Sequence, residues 1–177
     1  TAYALNKLLN LKQSKRQLAM IAHIAEVENG TGLGDVVNQY YGGFLVKYQS
    51  SYNFKVKKLP INNKKIYYRY FSSINTKKTI SNKKLKNKIN NSGIKSLNKI
   101  KKLSKKDTNL KNIIKISKDF SIKSELLKNK GLIKIIKQIE GKGGNASMIM
   151  LGNAVFSDKY FKGSNELIIK DKDACLL

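Results

Sequence analysis

Three carboxylates lie close together beside a glycine-rich turn. Glu26 and Glu28 precede the segment 30–34, in which glycine occupies every second position, and Asp35 follows it. The chain has only 11 acidic residues and a formal net charge of +25, so this concentration of acids is unusual. Carboxylates beside a turn can orient a substrate hydroxyl or bind a divalent cation. We therefore take the segment 22–37 as the candidate site.

Asp35 also has a purely structural interpretation, as the residue that caps a helix. The residues 36–40 can form a short helix, and a carboxylate at its start is stabilised by unpaired backbone N–H groups and the helix dipole. The functional interpretation is favoured by Gly32 and Gly34, which remove side chains where a ligand could approach the backbone. The two preceding glutamates add possible cation ligands.

Helices are predicted to position these acids. Apolar residues recur at helical spacing over 2–9, and a wide apolar face predicts a second helix that begins at Ser14 and is closed by Gly30. His23 lies on this helix, and we interpret it as an ordinary helix histidine. With one histidine and one cysteine, Cys175, the chain cannot assemble a structural zinc site.

Strands and a domain junction follow the short helix. β-Branched and aromatic residues predict a strand over 44–48, and alternating apolar and polar residues predict its hairpin partner over 53–59. The only proline, Pro60, marks a boundary, and a new strand is predicted over 65–71. We therefore place a domain junction near 61–64.

The remaining sequence predicts helices and then a sheet. Residues 72–106 are rich in Lys, Asn and Ser, which indicates loop with a weak amphipathic helix. The later elements are helices over 110–120 and 126–139, a strand over 146–152 that runs into a glycine turn, a strand over 153–156 and a last strand over 166–169.

The basic composition indicates a lysine-rich solvated surface more than a nucleic-acid site. Only Arg16 and Arg69 are arginines among 36 basic residues, and the lysines are spread along the chain with Asn and Ile. A dedicated nucleic-acid surface usually adds arginine forks and aromatic stacking. No stretch approaches the ~20 apolar residues of a membrane span. The single Cys175 cannot form an internal disulfide, which favours a reducing cytoplasm.

Two blocks of sequence carry a family resemblance. The first reads AHIAEVENGTGLGDV over 22–36 and is followed by Gly42-Gly43, and the second reads ASMIMLGNAVF over 146–156. Both blocks and their separation resemble those of archaeal pantoate kinases, a branch of the GHMP superfamily of small-molecule kinases. The resemblance covers most of the chain, although residues 72–106 match poorly.

The resemblance implies an α+β fold of two lobes with the active site between them. Residues 1–62 would be the carboxyl-side part of an incomplete amino-terminal lobe, and residues 63–177 the carboxyl-terminal lobe. The implied reaction transfers the γ-phosphoryl group of ATP to the 4-hydroxyl of (R)-pantoate, giving 4-phosphopantoate for archaeal coenzyme A synthesis. The implied cofactors are ATP and Mg²⁺, and the implied partners are pantoate and ATP, with no specific nucleic acid, no membrane and a possible homodimer.

The resemblance also implies roles for individual residues. Asp35 occupies the position of the acid that orients or deprotonates the acceptor hydroxyl, and Glu28 competes with Glu26 as the magnesium ligand. The implied roles are catalysis for Asp35, Mg²⁺ binding for Glu26, cofactor binding for Ser147 and Gly152, and substrate binding for Thr31, Gly32 and Gly34.

The start of the chain departs from the family pattern. These kinases carry a glycine- and serine-rich phosphate loop that runs into a helix, and residues 1–6 resemble the helix after that loop. We therefore expect this chain alone to bind ATP weakly and not to turn over. The alternatives are a GHMP kinase for another small alcohol, a non-catalytic basic nucleic-acid-binding module, and a split-gene fragment completed by another polypeptide.

Overall fold

The computed structural model describes residues 1–30, 35–48, 56–74, 79, 81–150 and 152–172. The chain divides into two compact units. One comprises Thr1–Asn62 together with the chain from Lys170 onward, and the other comprises Asn63–Ile169. The boundary after Asn62 lies inside the segment 61–64 where the junction was predicted. Residues 170–172 belong to the first unit. The assignment of residues 1–62 and 63–177 to two kinase lobes stays a prediction.

In the first unit, the described residues form three helices and a two-stranded antiparallel sheet. Helix α2 begins after Ser14, whose side chain and that of Gln17 form a capping box, and it ends at Gly30 in the left-handed conformation with φ 64°. Of the strand predicted over 53–59, residues 56–59 form a strand, and residues 53–55 lie outside the described residues. The elements are α1 (Ala2–Leu8), α2 (Lys15–Asn29), α3 (Asp35–Tyr41), β1 (Phe44–Lys47) and β2 (Val56–Leu59).

Apolar contacts hold α3 against α2. Ala19 of α2 and Val36 and Val37 of α3 are buried in one cluster. Val37 is 1% exposed. Burying a valine side chain contributes roughly 1.5–3 kcal/mol, so this cluster fixes the start of α3 on α2.

The segment between α3 and β1 requires glycine. Gly43 has φ 82°, and its N–H donates a 3.0 Å hydrogen bond to the Lys170 carbonyl. A Cβ atom at Gly43 would lie 2.8 Å from Oδ1 of Asp171. That carboxylate forms a 2.7 Å ion pair with Lys58 of β2. The close approach therefore ties residues 170–171 to the β1–β2 hairpin.

Among its described residues, the second unit has a four-stranded antiparallel sheet in the order β4-β5-β3-β6, together with three helices that are given bounds below. Leu132, Ile136 and Ile139 of the last helix pack with the buried Met148 and Val155 of the sheet. Its elements are β3 (Lys65–Ser73), α4 (Lys83–Lys101), α5 (Leu110–Lys123), α6 (Lys130–Gly141), β4 (Ala146–Met148), β5 (Gly152–Ser157) and β6 (Asn165–Ile168).

The prediction for residues 72–106 understated the helix there. Helix α4 spans 19 residues. The Asn82 side chain accepts a 2.9 Å hydrogen bond from the Leu85 N–H, which supplies a start signal. Gly93 lies 3.8 Å, measured from an added Cβ, from the Phe120 ring of α5. Few apolar residues are enough to hold α4 in place, because it packs on one partner helix, α5.

The strand predicted over 146–152 is also shorter. Strand β4 ends at Met148, and β5 begins at Gly152. The Ile149 N–H donates to the Ala154 carbonyl at 2.9 Å, and the Gly152 N–H donates to the Ile149 carbonyl at 3.1 Å. These bonds close a hairpin, so the end of the predicted strand is a turn. In the part of the chain that the structure describes, none of the helices combines the length and apolarity that crossing a bilayer requires.

Replacing Gly43 by alanine tests the close approach to Asp171. We expect Gly43→Ala to lower the free energy of unfolding by more than Gly30→Ala. Both residues have positive φ, which costs alanine about 1–2 kcal/mol, but a Cβ at Gly30 meets nothing within 4 Å. Urea unfolding measures both variants, and equal losses would contradict the account of the Gly43 contact.

Candidate functional site

Two of the predicted acids are brought together by the packing of α2 and α3. Glu26 lies in the last part of α2, and Asp35 is the first residue of α3. The Asp35 side chain is exposed, whereas Glu26 is partly shielded from solvent. The carboxylates interact electrostatically with each other. Two acids on either side of the segment 30–34 are thus close enough to interact.

The Glu26 carboxylate is held at the start of α3. It accepts a hydrogen bond from the backbone N–H of Val36. Its Oε2 atom is buried and receives no hydrogen bond from any described residue. A buried carboxylate oxygen without a donor is energetically costly, and such an atom is a candidate ligand for a cation.

The surroundings raise the pKa of Glu26 above its usual range. Burial is the largest cause, because it disfavours the charged form, and the negative charge of Asp35 adds to it. The charge of His23 and the Val36 hydrogen bond act in the opposite direction. His23 itself is 5% exposed. The net effect is that Glu26 holds a proton more tightly in the folded chain than in the unfolded chain.

Glu28, the competing metal ligand, has different surroundings. Its side chain is exposed, and it is not among the charges that shift the pKa of Glu26. Among the described residues no group of three or more His, Cys, Asp or Glu side chains could hold a metal. Mg²⁺ commonly takes only one or two carboxylates and completes its shell with phosphate and water oxygens. Glu26 and Asp35 fit that donor set.

The residues predicted to bind substrate, Thr31, Gly32 and Gly34, lie outside the described residues. Their roles stay predictions.

The predicted cofactor-binding residues lie in the second unit, on the β4–β5 hairpin. Ser147 is fully buried, and its Oγ lies 3.2 Å from Oγ of Ser117 on α5. Gly152 stands at the hairpin tip next to the exposed Ile149 and Met150. The Ser147 hydroxyl therefore serves the packing of β4 on α5, and contact of either residue with ATP stays a prediction.

A cationic cavity in the second unit was not predicted from the sequence. Its charged lining consists of Arg69, Lys142, Lys159 and Lys162. The composition does not distinguish these lysines from the other lysines of the chain. The available signal was the glycine run around Lys142, together with one of the only two arginines in the chain.

The fold is that of a known class of phosphotransferase. A solved structure described as a "phosphotransferase related to CoA biosynthesis pathway" matches with a TM-score of 0.73 at 25% sequence identity. The match covers 88% of this chain and 49% of that chain. The predicted α+β fold class is therefore confirmed.

The sequence relatives define the family more narrowly. A pantoate kinase of Methanocaldococcus jannaschii is 35% identical over 158 residues, which are 88% of this chain and 54% of the relative. A pantoate kinase of Methanospirillum hungatei is 31% identical over 157 residues, which are 89% of this chain and 50% of the relative. The chain is thus similar to archaeal pantoate kinases over most of its length, which confirms the resemblance seen in the two sequence blocks.

The chain spans about half the length of the curated relatives it matches. No family model matches the sequence.

Replacing Asp35 tests its coupling to Glu26. We expect Asp35→Asn to lower the pKa of the Glu26 carboxyl towards its usual value, because one like charge is removed. Because the pKa of Glu26 is raised in the folded chain, the free energy of unfolding falls as Glu26 ionises with rising pH. This fall should be smaller in the variant. Carboxyl ¹³C NMR titration measures the pKa. Glu28→Gln is the matched control, and an equal shift in both variants would contradict a specific pair.

Proposed function

We propose that this chain forms part of an ATP-dependent kinase that phosphorylates (R)-pantoate at its 4-hydroxyl. The product is 4-phosphopantoate, and the place of the reaction is archaeal coenzyme A synthesis. The observation that carries the proposal is the similarity to the M. jannaschii pantoate kinase, at 35% identity over 88% of this chain. The acids Glu26 and Asp35 supply chemistry that fits phosphoryl transfer.

Asp35 is proposed as the residue that acts on the substrate. Its exposed carboxylate can accept a hydrogen bond from the pantoate hydroxyl and take up its proton as the oxygen attacks the γ-phosphorus of ATP. The bond from the γ-phosphorus to the bridging oxygen breaks, and ADP leaves. Asp35 lies in the first turn of α3. The buried Val36 and Val37 fix the direction of that turn. Phosphoryl transfer depends mostly on such positioning and on charge neutralisation.

Glu26 is proposed as the residue that holds Mg²⁺. Its buried Oε2 lacks a hydrogen-bond donor among the described residues, as a cation ligand would. When bound, the metal would neutralise charge on the phosphate oxygens of ATP. Glu26 must lose its proton to coordinate a cation, so its raised pKa makes metal affinity fall at acid pH.

A chimera tests the proposed reaction. The half of the M. jannaschii relative that this chain matches is replaced by residues 1–177, and formation of 4-phosphopantoate from ATP and pantoate is followed by mass spectrometry. We expect product formation that depends on pantoate. A folded chimera that phosphorylates another small alcohol in preference to pantoate, or that phosphorylates none, would contradict the proposal.

Within the chimera, Asp35→Asn should reduce kcat by about 10²–10⁴-fold, the usual contribution of a general base. Because Asp35 is exposed, the free energy of unfolding should change little. Steady-state kinetics and urea unfolding measure the two quantities. Glu28→Gln, which removes a similar charge from α2, should leave kcat within about twofold of the parent. A parallel loss of activity and stability in Asp35→Asn would return Asp35 to the role of a helix cap.

A further inference from the structure

A cavity of about 430 Å³ in the second unit is lined mainly by cationic, apolar and aromatic side chains. This volume lies within the range of small-molecule sites. Four cations line it, Arg69, Lys142, Lys159 and Lys162, and no acid is among the described residues around it. Charges of one sign that converge on a concave surface raise the local concentration of oppositely charged ligands.

Neutral groups hold the guanidinium group of Arg69 in place. Nη1 of Arg69 donates a 3.2 Å hydrogen bond to the Lys162 carbonyl, and its Cζ lies 4.9 Å from the centroid of the Phe71 ring. A Cβ at Gly163 would lie 2.8 Å from Nη1. The absence of a side chain at Gly163 therefore lets the guanidinium pack directly on the backbone.

Lys159 is held in the same way. Its Nζ donates a 2.6 Å hydrogen bond to the Lys142 carbonyl. The ion pairs between described residues involve none of the four cations. The cavity thus fixes two cations on neutral acceptors and leaves its charge without a carboxylate partner in the described chain, which is the electrostatic setting of an anion site.

The rest of the lining is apolar or aromatic. Ile135 and Ile139 of α6 and Phe161 form this part of the surface. Tyr160 is 64% exposed and makes an edge contact with Tyr67 at 5.9 Å between ring centroids. An exposed ring braced in this way can stack on a ligand.

The cavity lies away from the hairpin tip that carries Gly152. Lys142 precedes β4 and Lys159 follows β5, so both lie at the open end of the β4–β5 hairpin. The ladder pairs Ala146 with Ser157 at that end. The cavity is therefore distinct from the tip to which cofactor binding was assigned.

We propose that this cavity binds an organic phosphate, a phosphate monoester joined to a small apolar or aromatic body. The phosphate dianion contacts the cations, and the body lies on Ile135, Ile139 and the Tyr160 ring. The proposal is independent of the kinase activity, because it uses none of the residues assigned to catalysis.

Phenyl phosphate is the minimal probe, and the 177-residue chain is the protein to be tested. Backbone ¹H–¹⁵N NMR titration should show saturable shifts at Gly143, Gly144 and Gly163. Inorganic phosphate, which lacks the body, and phenol, which lacks the charge, should each bind at least about tenfold more weakly. Equal affinity for phenyl phosphate and inorganic phosphate would overturn the proposed role of the apolar surface. Shifts spread over all lysine-rich segments would overturn the site itself.

A pair of double variants separates the cavity from the general lysine surface. Lys142→Ala with Lys162→Ala removes two cavity charges from exposed side chains, and Lys134→Ala with Lys137→Ala removes two exposed charges from α6 outside it. The first should weaken phenyl phosphate binding about tenfold, and the second less than about twofold. Equal weakening in the two folded variants would overturn the proposal.

The same titration identifies the natural source of the phosphate. AMP represents a nucleotide, and 4-phosphopantoate represents a phosphorylated hydroxy acid. Competition by either one with phenyl phosphate supports the proposal and identifies that source. Failure of both to compete would overturn it for these two classes of organic phosphate.

Discussion

The hydrogen bond from the Val36 N–H to the Glu26 carboxylate joins the two helices that carry the candidate site. It depends on the buried contacts of Ala19 with Val36 and Val37, which hold α3 on α2. Without that packing, Glu26 and Asp35 would be two unrelated acids on either side of the segment 30–34. With it, the Glu26 carboxylate interacts with the backbone at the start of α3, and its Oε2 is buried without a donor among the described residues.

This arrangement is unfavourable for the folded chain by itself. Burial and the charge of Asp35 both oppose ionisation of Glu26. The ionised pair therefore lowers the stability of the folded chain, and packing does not account for its presence. Functional sites commonly carry such perturbed groups. A cation held by Glu26 would offset the repulsion between the two carboxylates. That is the physical link between the geometry and the phosphoryl transfer proposed from the pantoate kinase relatives.

Local signals made much of the fold predictable. The helix from Ser14 to Gly30 was predictable from its wide apolar face and its glycine terminus, because both signals are local in the sequence. The extent of α4 could not, since its packing on α5 involves Phe120, which is distant in sequence. The acids of the candidate site were singled out by their concentration beside the segment 30–34, and their roles stay predictions. The bond from Val36 to Glu26, and the gathering of Arg69 with Lys142 and Lys159, depend on tertiary packing that no spacing in the sequence encodes.

A double-mutant cycle on Glu26 and Asp35 tests most directly whether the two carboxylates act as one site. In the chimera with the M. jannaschii relative, kcat/KM for pantoate is measured at saturating Mg²⁺ and ATP for Glu26→Gln, Asp35→Asn and the double variant. Groups that act as a unit are strongly non-additive. The account predicts that the double variant is about as impaired as the more impaired single variant. Losses that multiply would contradict a shared site and would leave the two acids as independent residues.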